Sequence, residues 1–178
     1  MSTKPRPRPT APTHLVVMGV SGCGKSTIGM LLADRTGALF IDADDLHPEA
    51  NIEKMRAGSP LDDDDRAPWL AEARDTMSAI ADAGGSSVIA CSALRRPYRE
   101  VLAAAAGRVR FVHLDVAPEV LAGRVADRAD HFMPASLVAS QLATLEALAD
   151  DEDGVVVPVA GDPDDVVTAA LTALAGRP

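Results

Sequence analysis

Cysteine is almost missing from this chain: 178 residues carry only Cys23 and Cys91, too few for a disulfide framework and not arranged as a CxxC pair. No apolar run approaches the length of a membrane span, and the first residues lack the apolar stretch of a secretion signal. No internal repeat is visible. These absences predict a soluble protein of a reducing compartment, the cytoplasm, with no membrane partner. Positive charge is also in short supply. Seventeen Lys and Arg stand against 26 Asp and Glu, a formal net charge of −9, which argues against a nucleic-acid surface. Three of those positive charges, Lys4, Arg6 and Arg8, alternate with prolines at the start, so the remainder is more acidic still. Residues 1–12 show no apolar periodicity and are expected to form a disordered basic tail. Residues 13–178 are then expected to be one domain, large enough to bury a core without disulfides or a structural metal.

What is present begins with Gly19-Val20-Ser21-Gly22-Cys23-Gly24-Lys25-Ser26, a complete GxxxxGKS pattern directly after the apolar run Leu15-Val16-Val17-Met18. The run suits a buried strand. The glycines allow successive backbone N–H groups to turn inward around a phosphate, while a helix beginning near Lys25 aims its positive end at the same anion. In such a loop the lysine reaches the β and γ phosphates and the Ser26 hydroxyl ligates magnesium. A glycine-rich turn with no ligand is the alternative, but it needs neither Lys25 nor Ser26.

Apolar runs and helical patterns alternate along the chain, and the strands read as continuous apolar stretches, as expected when both faces of a parallel sheet are covered. Strands are predicted near His14–Gly19, Ala38–Asp42, Ser86–Cys91, Arg110–Asp115 and Gly154–Val159. Helices are predicted near Lys25–Thr36, Trp69–Asp82, Pro97–Ala105, Pro118–Ala126, Ala135–Ala147 and Pro163–Ala173. Pro68, Pro118 and Pro163 suit first turns of helices, and Gly37, Gly84 and Gly107 suit helix ends.

Ligands in such sheets collect beyond the carboxyl ends of the strands. The second strand ends in Asp42-Ala43-Asp44-Asp45-Leu46-His47 and the third in Cys91-Ser92-Ala93-Leu94-Arg95-Arg96. Carboxylates beside a phosphate loop offer a place for magnesium and an acceptor for a substrate hydroxyl proton. If the strand persists, Asp42 and Asp44 face opposite sides; a turn at Ala43 would aim both into the cleft. Either could instead cap the next helix. Asp62-Asp63-Asp64-Asp65 are most simply the solvated start of a helix. Arg66 suits an anionic substrate, and Trp69, the only tryptophan, suits either a sugar-facing wall or plain core. Arg124 and Arg128, one turn apart between two helices, read as a lid whose arginines close over the phosphates and exclude water.

Taken together, DxD-x-LHP, NIEKM, G-x-PL-x-DDDR-x-PWL, CSALRR-x-YR and R-x3-R-x2-HFMP-x-SL-x3-Q, in this order from His14 to Glu146, resemble the gluconokinase family. Leu46-His47-Pro48, Asp-Asp-Arg-x-Pro-Trp and His131-Phe132 are the distinctive pieces. The resemblance implies a P-loop NTPase fold of the nucleoside-monophosphate-kinase type: a three-layer α/β sandwich with a parallel five-stranded sheet in the order 2-3-1-4-5 and a helical lid around 124–136. It implies ATP-dependent phosphorylation of the 6-hydroxyl of D-gluconate, with ATP and Mg2+ as cofactors, and a homodimer.

By motif, the resemblance assigns Gly19, Ser21, Gly22, Cys23, Gly24, Lys25, Ser26 and Thr27 to the nucleotide phosphates, joined by Arg124 and Arg128. Lys25, Asp44 and Arg128 are implied as catalytic, Asp44 orienting the hydroxyl. Ser26 and Asp42 are implied around the metal. Asp44, His47, Lys54, Arg66, Ser92, Arg95, Arg99 and His131 are the implied gluconate contacts. Past Glu146 the family's usual proline-containing stretch reads Ala147-Leu148-Ala149, and no function is assigned there. A shikimate or adenylylsulfate kinase would share the loop without LHP or DDR-x-PW. A nucleotide-switched regulatory module would call for an Asn-Lys-x-Asp stretch, which the chain lacks.

Overall fold

The computed structural model describes residues 11–127 and 135–178, with side chains between 125 and 137 left out of the description. Most of the expected tail, together with Arg128, His131 and the centre of the expected lid, therefore lies outside the described residues. Five strands form one parallel sheet: β1 (Thr13–Met18), β2 (Leu39–Asp42), β3 (Ser87–Ala90), β4 (Arg108–Asp115) and β5 (Gly154–Pro158), in the spatial order β2-β3-β1-β4-β5. Seven helices are described: α1 (Lys25–Thr36), α2 (Glu49–Arg56), α3 (Asp63–Asp82), α4 (Arg96–Ala103), α5 (Pro118–Asp127), α6 (Ala135–Thr144) and α7 (Pro163–Ala175).

The apolar strands are explained by two cores, one on each face of the sheet. Along β1, Leu15 and Val17 join Ile28, Leu32, Val167 and Leu174 of α1 and α7. Val16 and Met18 point the other way, into Trp69, Leu70 and Met77 of α3 and Tyr98 and Leu102 of α4. A strand alternates faces at every residue, so covering both faces erases the polar positions. The strand order reverses around β1, and the cleft opens at the carboxyl edge there, where a parallel α/β sheet places ligands.

Four differences from the sequence expectation have a local reason. Helix α3 starts at Asp63 instead of Trp69, because Asp62 and Asp65 form a reciprocal capping box; Pro68 therefore sits inside the helix and not in its first turn. Helix α2 and a 3-10 turn over Ala43–Leu46 were not foreseen: within α2 only Asn51 is buried, so no apolar period marks it. Helix α4 ends at Ala103, and Gly107 (φ 92°) instead makes the turn into β4, where a Cβ would lie 2.8 Å from the Pro12 carbonyl oxygen. Helix α6 stops at Thr144; beyond it the Glu146 N–H donates to Leu94 O at 2.8 Å, leaving the helix to meet the loop after β3.

Candidate active site

The loop between β1 and α1 curls tightly. Gly19 (φ 144°), Gly22 (φ 81°) and Gly24 (φ 98°) all occupy conformations that L side chains rarely adopt, and a Cβ on Gly19 would lie 2.8 Å from Cys23 Sγ. Lys25 opens α1, its Nζ donating to Val20 O at 3.1 Å across the curl. Arg124 on α5 donates from Nη1 to Gly22 O (3.2 Å) and Cys23 O (3.4 Å), so one arginine assigned from the sequence does lie on the loop. Thr27 is exposed on the first turn of α1. Cys23 contributes backbone and bulk: its side chain is buried, and burial pushes the thiol pKa up. Cys91 behaves alike, raised to about 12 by burial. Burial favours the neutral thiol at both positions, which suits packing roles there.

At the end of β2 the chain turns, and the two open possibilities for Asp42 and Asp44 meet. Asp42 caps the 3-10 turn, its Oδ1 accepting from Asp44 N at 3.0 Å, while its Oδ2 accepts from Ser26 Oγ at 2.8 Å. One carboxylate thus serves both as cap and as partner of the phosphate-loop serine. Asp44 opens to solvent in the cleft; the surrounding wall, then Asp42, raise its pKa, while Lys25 and His47 pull the other way. Ser26 and Asp42 offer hard oxygen donors in mutual contact at the phosphate loop, which fits a magnesium ion that keeps waters and phosphate oxygens as its other ligands. Among the described residues no group of three or more His, Cys, Asp or Glu forms a metal site on its own.

The opposite wall rises from α3 and the loop after β3. His47 is stacked on Trp69 (centroids 4.3 Å apart, planes 13° apart), with Nε2 4.0 Å from Asp44 Oδ1. Burial lowers its pKa, Asp44 opposing. Trp69 itself is core, 4 % exposed, and donates Nε1–H to Ala43 O at 2.6 Å. Of the two readings of Trp69, core therefore holds, with the nearly buried His47 ring stacked on it. Asn51 bonds Asp65 O at 2.8 Å and approaches His47 Nδ1 at 3.4 Å. Lys54 pairs with Asp62 (3.3 Å) and Asp65, tying α2 to the capping box of α3. Arg66 and Arg95 converge on Tyr98, each guanidinium 5.5 Å from the ring centroid. Asp63, expected as a merely solvated helix start, bonds Tyr98 Oη (2.5 Å) and Arg95 Nη1 (3.0 Å). Ser92 lines the turn after β3, where its carbonyl accepts the Gly19 N–H at 3.3 Å.

Arg99 is the residue the structure removes from the candidate contacts. It is 1 % exposed, and every N–H of its guanidinium is engaged: Nε and Nη2 fork onto Glu152 (2.5 and 3.0 Å), Nη1 donates to Ala93 O, Leu94 O and Glu146 O, and Nη2 also reaches Ala147 O. With five donors spent, nothing remains for a substrate. Arg99 instead shapes the loop carrying Ser92 and Arg95, including Ala93 at φ 44°, an uncommon conformation for a non-glycine residue.

Two residues went unassigned in the sequence although their motifs had been noticed. Gln141 ends the x3-Q of the lid motif, and its Oε1 accepts the Ser21 N–H at 2.6 Å. Tyr98 is the aromatic of CSALRR-x-YR.

The comparisons with known proteins agree with this geometry. An AAA-domain family model matches residues 15–148. A protein of Gluconobacter oxydans named gluconokinase is 52 % identical over 85 % of this chain and 84 % of its own length. The thermosensitive gluconokinase of Escherichia coli is 43 % identical over 79 % of this chain and 75 % of its own. Among solved structures, a gluconokinase from Sinorhizobium meliloti superposes with a TM-score of 0.83 at 44 % identity, covering 93 % of each chain. Shikimate kinase from Aquifex aeolicus, at TM-score 0.59 and 18 % identity over 92 % of this chain and 96 % of that one, shares the fold alone.

Proposed function

The chain belongs to the gluconokinase family, and from that premise we propose that its cleft transfers the terminal phosphoryl group of ATP to the 6-hydroxyl of D-gluconate, giving 6-phospho-D-gluconate and ADP. The observation that carries this reading is the meeting of the two halves: Ser26 bonded to Asp42 beside Lys25 on one side, Arg66 and Arg95 around Tyr98 on the other. A phosphate loop alone would serve many acceptors. A pair of arginines at the acceptor wall calls for an acid.

Phosphoryl transfer is obstructed mainly by charge and by positioning. The backbone N–H groups that the loop leaves free, together with Lys25, hold the phosphates, and Arg124 faces the same loop. Arg128 would add a second charge from the lid. Ser26 and Asp42 would hold Mg2+, which would supply positive charge against the negative charge of the phosphates. Asp44, beside Lys25 and His47, accepts the hydrogen bond of the substrate hydroxyl and orients it in line, taking its proton as the bond to phosphorus forms. Arg66 and Arg95 hold the carboxylate; His47, Lys54, Ser92 and His131 complete the polyol contacts.

The proposed setting is a cytoplasmic homodimer of single-domain subunits, feeding gluconate into central carbon catabolism. No helix among the described residues is long and apolar enough to cross a membrane, and the phosphorylated product is a charged metabolite retained inside a cell. The decisive experiment is an ADP-coupled assay with ATP, Mg2+ and gluconate, with shikimate and adenylylsulfate as competing acceptors. Turnover confined to gluconate supports the reading; turnover with either rival, or none, defeats it. Sedimentation of the same preparation tests the dimer.

A further inference from the structure

The acceptor wall contains a frame that none of the assigned contacts explains. Tyr98 stands in the first turn of α4, 9 % exposed, its ring packed into the same core as Trp69 and Leu102. Its hydroxyl donates to Asp63 Oδ1 at 2.5 Å and accepts from Arg66 Nη1 at 3.1 Å. The Asp63 carboxylate accepts in turn from Arg95 Nη1, at 3.0 Å and 3.3 Å, and lies 4.0 Å from Arg66 Nη1. Arg95 also approaches Glu146 Oε1 at 3.5 Å. Two guanidiniums from different elements, α3 and the loop after β3, are thus brought to one aromatic ring and one carboxylate.

Left alone, two arginines facing the same small site would repel each other and would each sample many rotamers. Fixing such a side chain at the moment of binding costs conformational entropy. Here that cost is met in the free enzyme. The ring sets the spacing, the hydroxyl fixes Arg66, and Asp63 compensates the charge while anchoring Arg95. Hydrogen bonding from Tyr98, with Arg95 second, keeps the Asp63 carboxyl below its ordinary range, so it stays ionised and in place.

We propose that Tyr98 and Asp63 are positioning residues for acceptor recognition: the pair pre-orients Arg66 and Arg95 as a receptor for the substrate carboxylate, and so sets the preference for an acid over a neutral polyol. The proposal rests on the reading that Arg66 and Arg95 bind that carboxylate. It predicts a loss confined to the acid end of the substrate, because among the described residues no hydrogen bond or ion pair joins Lys25 or Asp44 to Tyr98, Asp63, Arg66 or Arg95.

The test compares Tyr98→Phe and Asp63→Asn with the parent enzyme, measuring KM for gluconate and for ATP, kcat, and the inhibition constant of gluconamide, in which a neutral amide replaces the carboxylate. Circular dichroism and a melting curve on each variant check the fold; Tyr98→Phe removes a single oxygen and keeps the ring. The expected result is a KM for gluconate raised about tenfold, with kcat and KM for ATP within twofold and gluconamide inhibition unchanged. Equal weakening of gluconate and gluconamide, or an unchanged gluconate KM, overturns the positioning role. Arg66→Ala and Arg95→Ala separate the two levels. If they weaken gluconate while Tyr98→Phe does not, the frame alone is refuted; if they too leave gluconate untouched, the carboxylate site is misplaced and the frame is refuted with it.

Discussion

The side-chain carbonyl of Gln141 accepts the backbone N–H of Ser21 at 2.6 Å, joining α6 directly to the rim of the phosphate loop. Five residues on, Glu146 takes the Arg96 N–H on Oε2 at 2.7 Å and donates its own N–H to Leu94 O. One short stretch therefore touches both the nucleotide half of the cleft and the acceptor half.

Gln141→Ala removes a neutral acceptor, and a hydrogen bond of that kind is worth about 0.5–1.5 kcal/mol. The KM for ATP is expected to rise by about two- to tenfold. Gln141→Glu keeps an acceptor of similar reach but sets a negative charge beside a triphosphate, so its KM for ATP should rise further, and the excess should shrink with added salt as the charge is screened. Initial-rate kinetics at two ionic strengths decide it; a Glu variant no worse than the Ala variant contradicts the placement of Gln141 at the rim of the phosphate site.

Arg99 and Glu152 form a buried ion pair whose partners lie far apart in the chain. Removing one member leaves an uncompensated charge in the interior, a loss of about 3–5 kcal/mol. Arg99→Ala and Glu152→Ala should each lower the melting temperature sharply. Arg99→Lys should fail as well, since one ammonium cannot replace a fork that also serves the carbonyls of Ala93, Leu94, Glu146 and Ala147. Thermal melts check this. A Lys variant as stable as the parent would mean that the fork is not what shapes the loop.

The contrast between these two sites and the phosphate loop shows what a sequence makes legible. The loop is contiguous, so its glycines, Lys25 and Ser26 could be read in place, and β1 announced itself because both faces of Leu15-Val16-Val17-Met18 are covered. Helix α3 was misplaced by one strong signal outweighing another: Pro68 suits a first turn, but the acid-to-acid spacing of Asp62 and Asp65 marked the true start. Arg99 was misjudged because its chemistry as a substrate ligand and as a buried strut is the same, and only the arrival of Glu152 decides between them. Tyr98 and Asp63 became partners through α3 meeting α4, a packing event that no local spacing encodes.

Ser26 and Asp42 touch at 2.8 Å, and each is assigned to the metal side of the phosphate loop. Ser26→Ala and Asp42→Asn should both raise the Mg2+ concentration needed for half-maximal turnover, Asp42→Asn more strongly because it removes a charge. Asp42→Asn keeps an oxygen that can accept the Asp44 N–H, so the cap of the 3-10 turn should survive and the melting temperature should fall by little. Titrating activity against Mg2+ at fixed ATP tests this; a half-saturation point unchanged in both variants would remove the pair from metal binding.

Asp44 offers a test in which activity and stability move independently. Its pKa is raised in the folded protein, chiefly by the surrounding cleft wall and then by Asp42. A carboxyl raised on folding stabilises the fold when protonated; that contribution is complete below the unfolded value near about 3.9 and is lost as pH rises through the folded value. Because the Asp44 side chain stands open to solvent, its charge weighs little on the fold at neutral pH, and Asp44→Asn should melt close to the parent. Turnover should behave oppositely. A hydroxyl-orienting base must be ionised, so kcat/KM should fall as pH drops through that raised value, with a midpoint above the ordinary aspartate range. In Asp44→Asn turnover should fall by about 10²-fold or more, as for loss of a positioned base, and that acid limb should disappear with it. A variant that keeps near-parent turnover, or loses it while retaining the same acid limb, would assign the proton to another group.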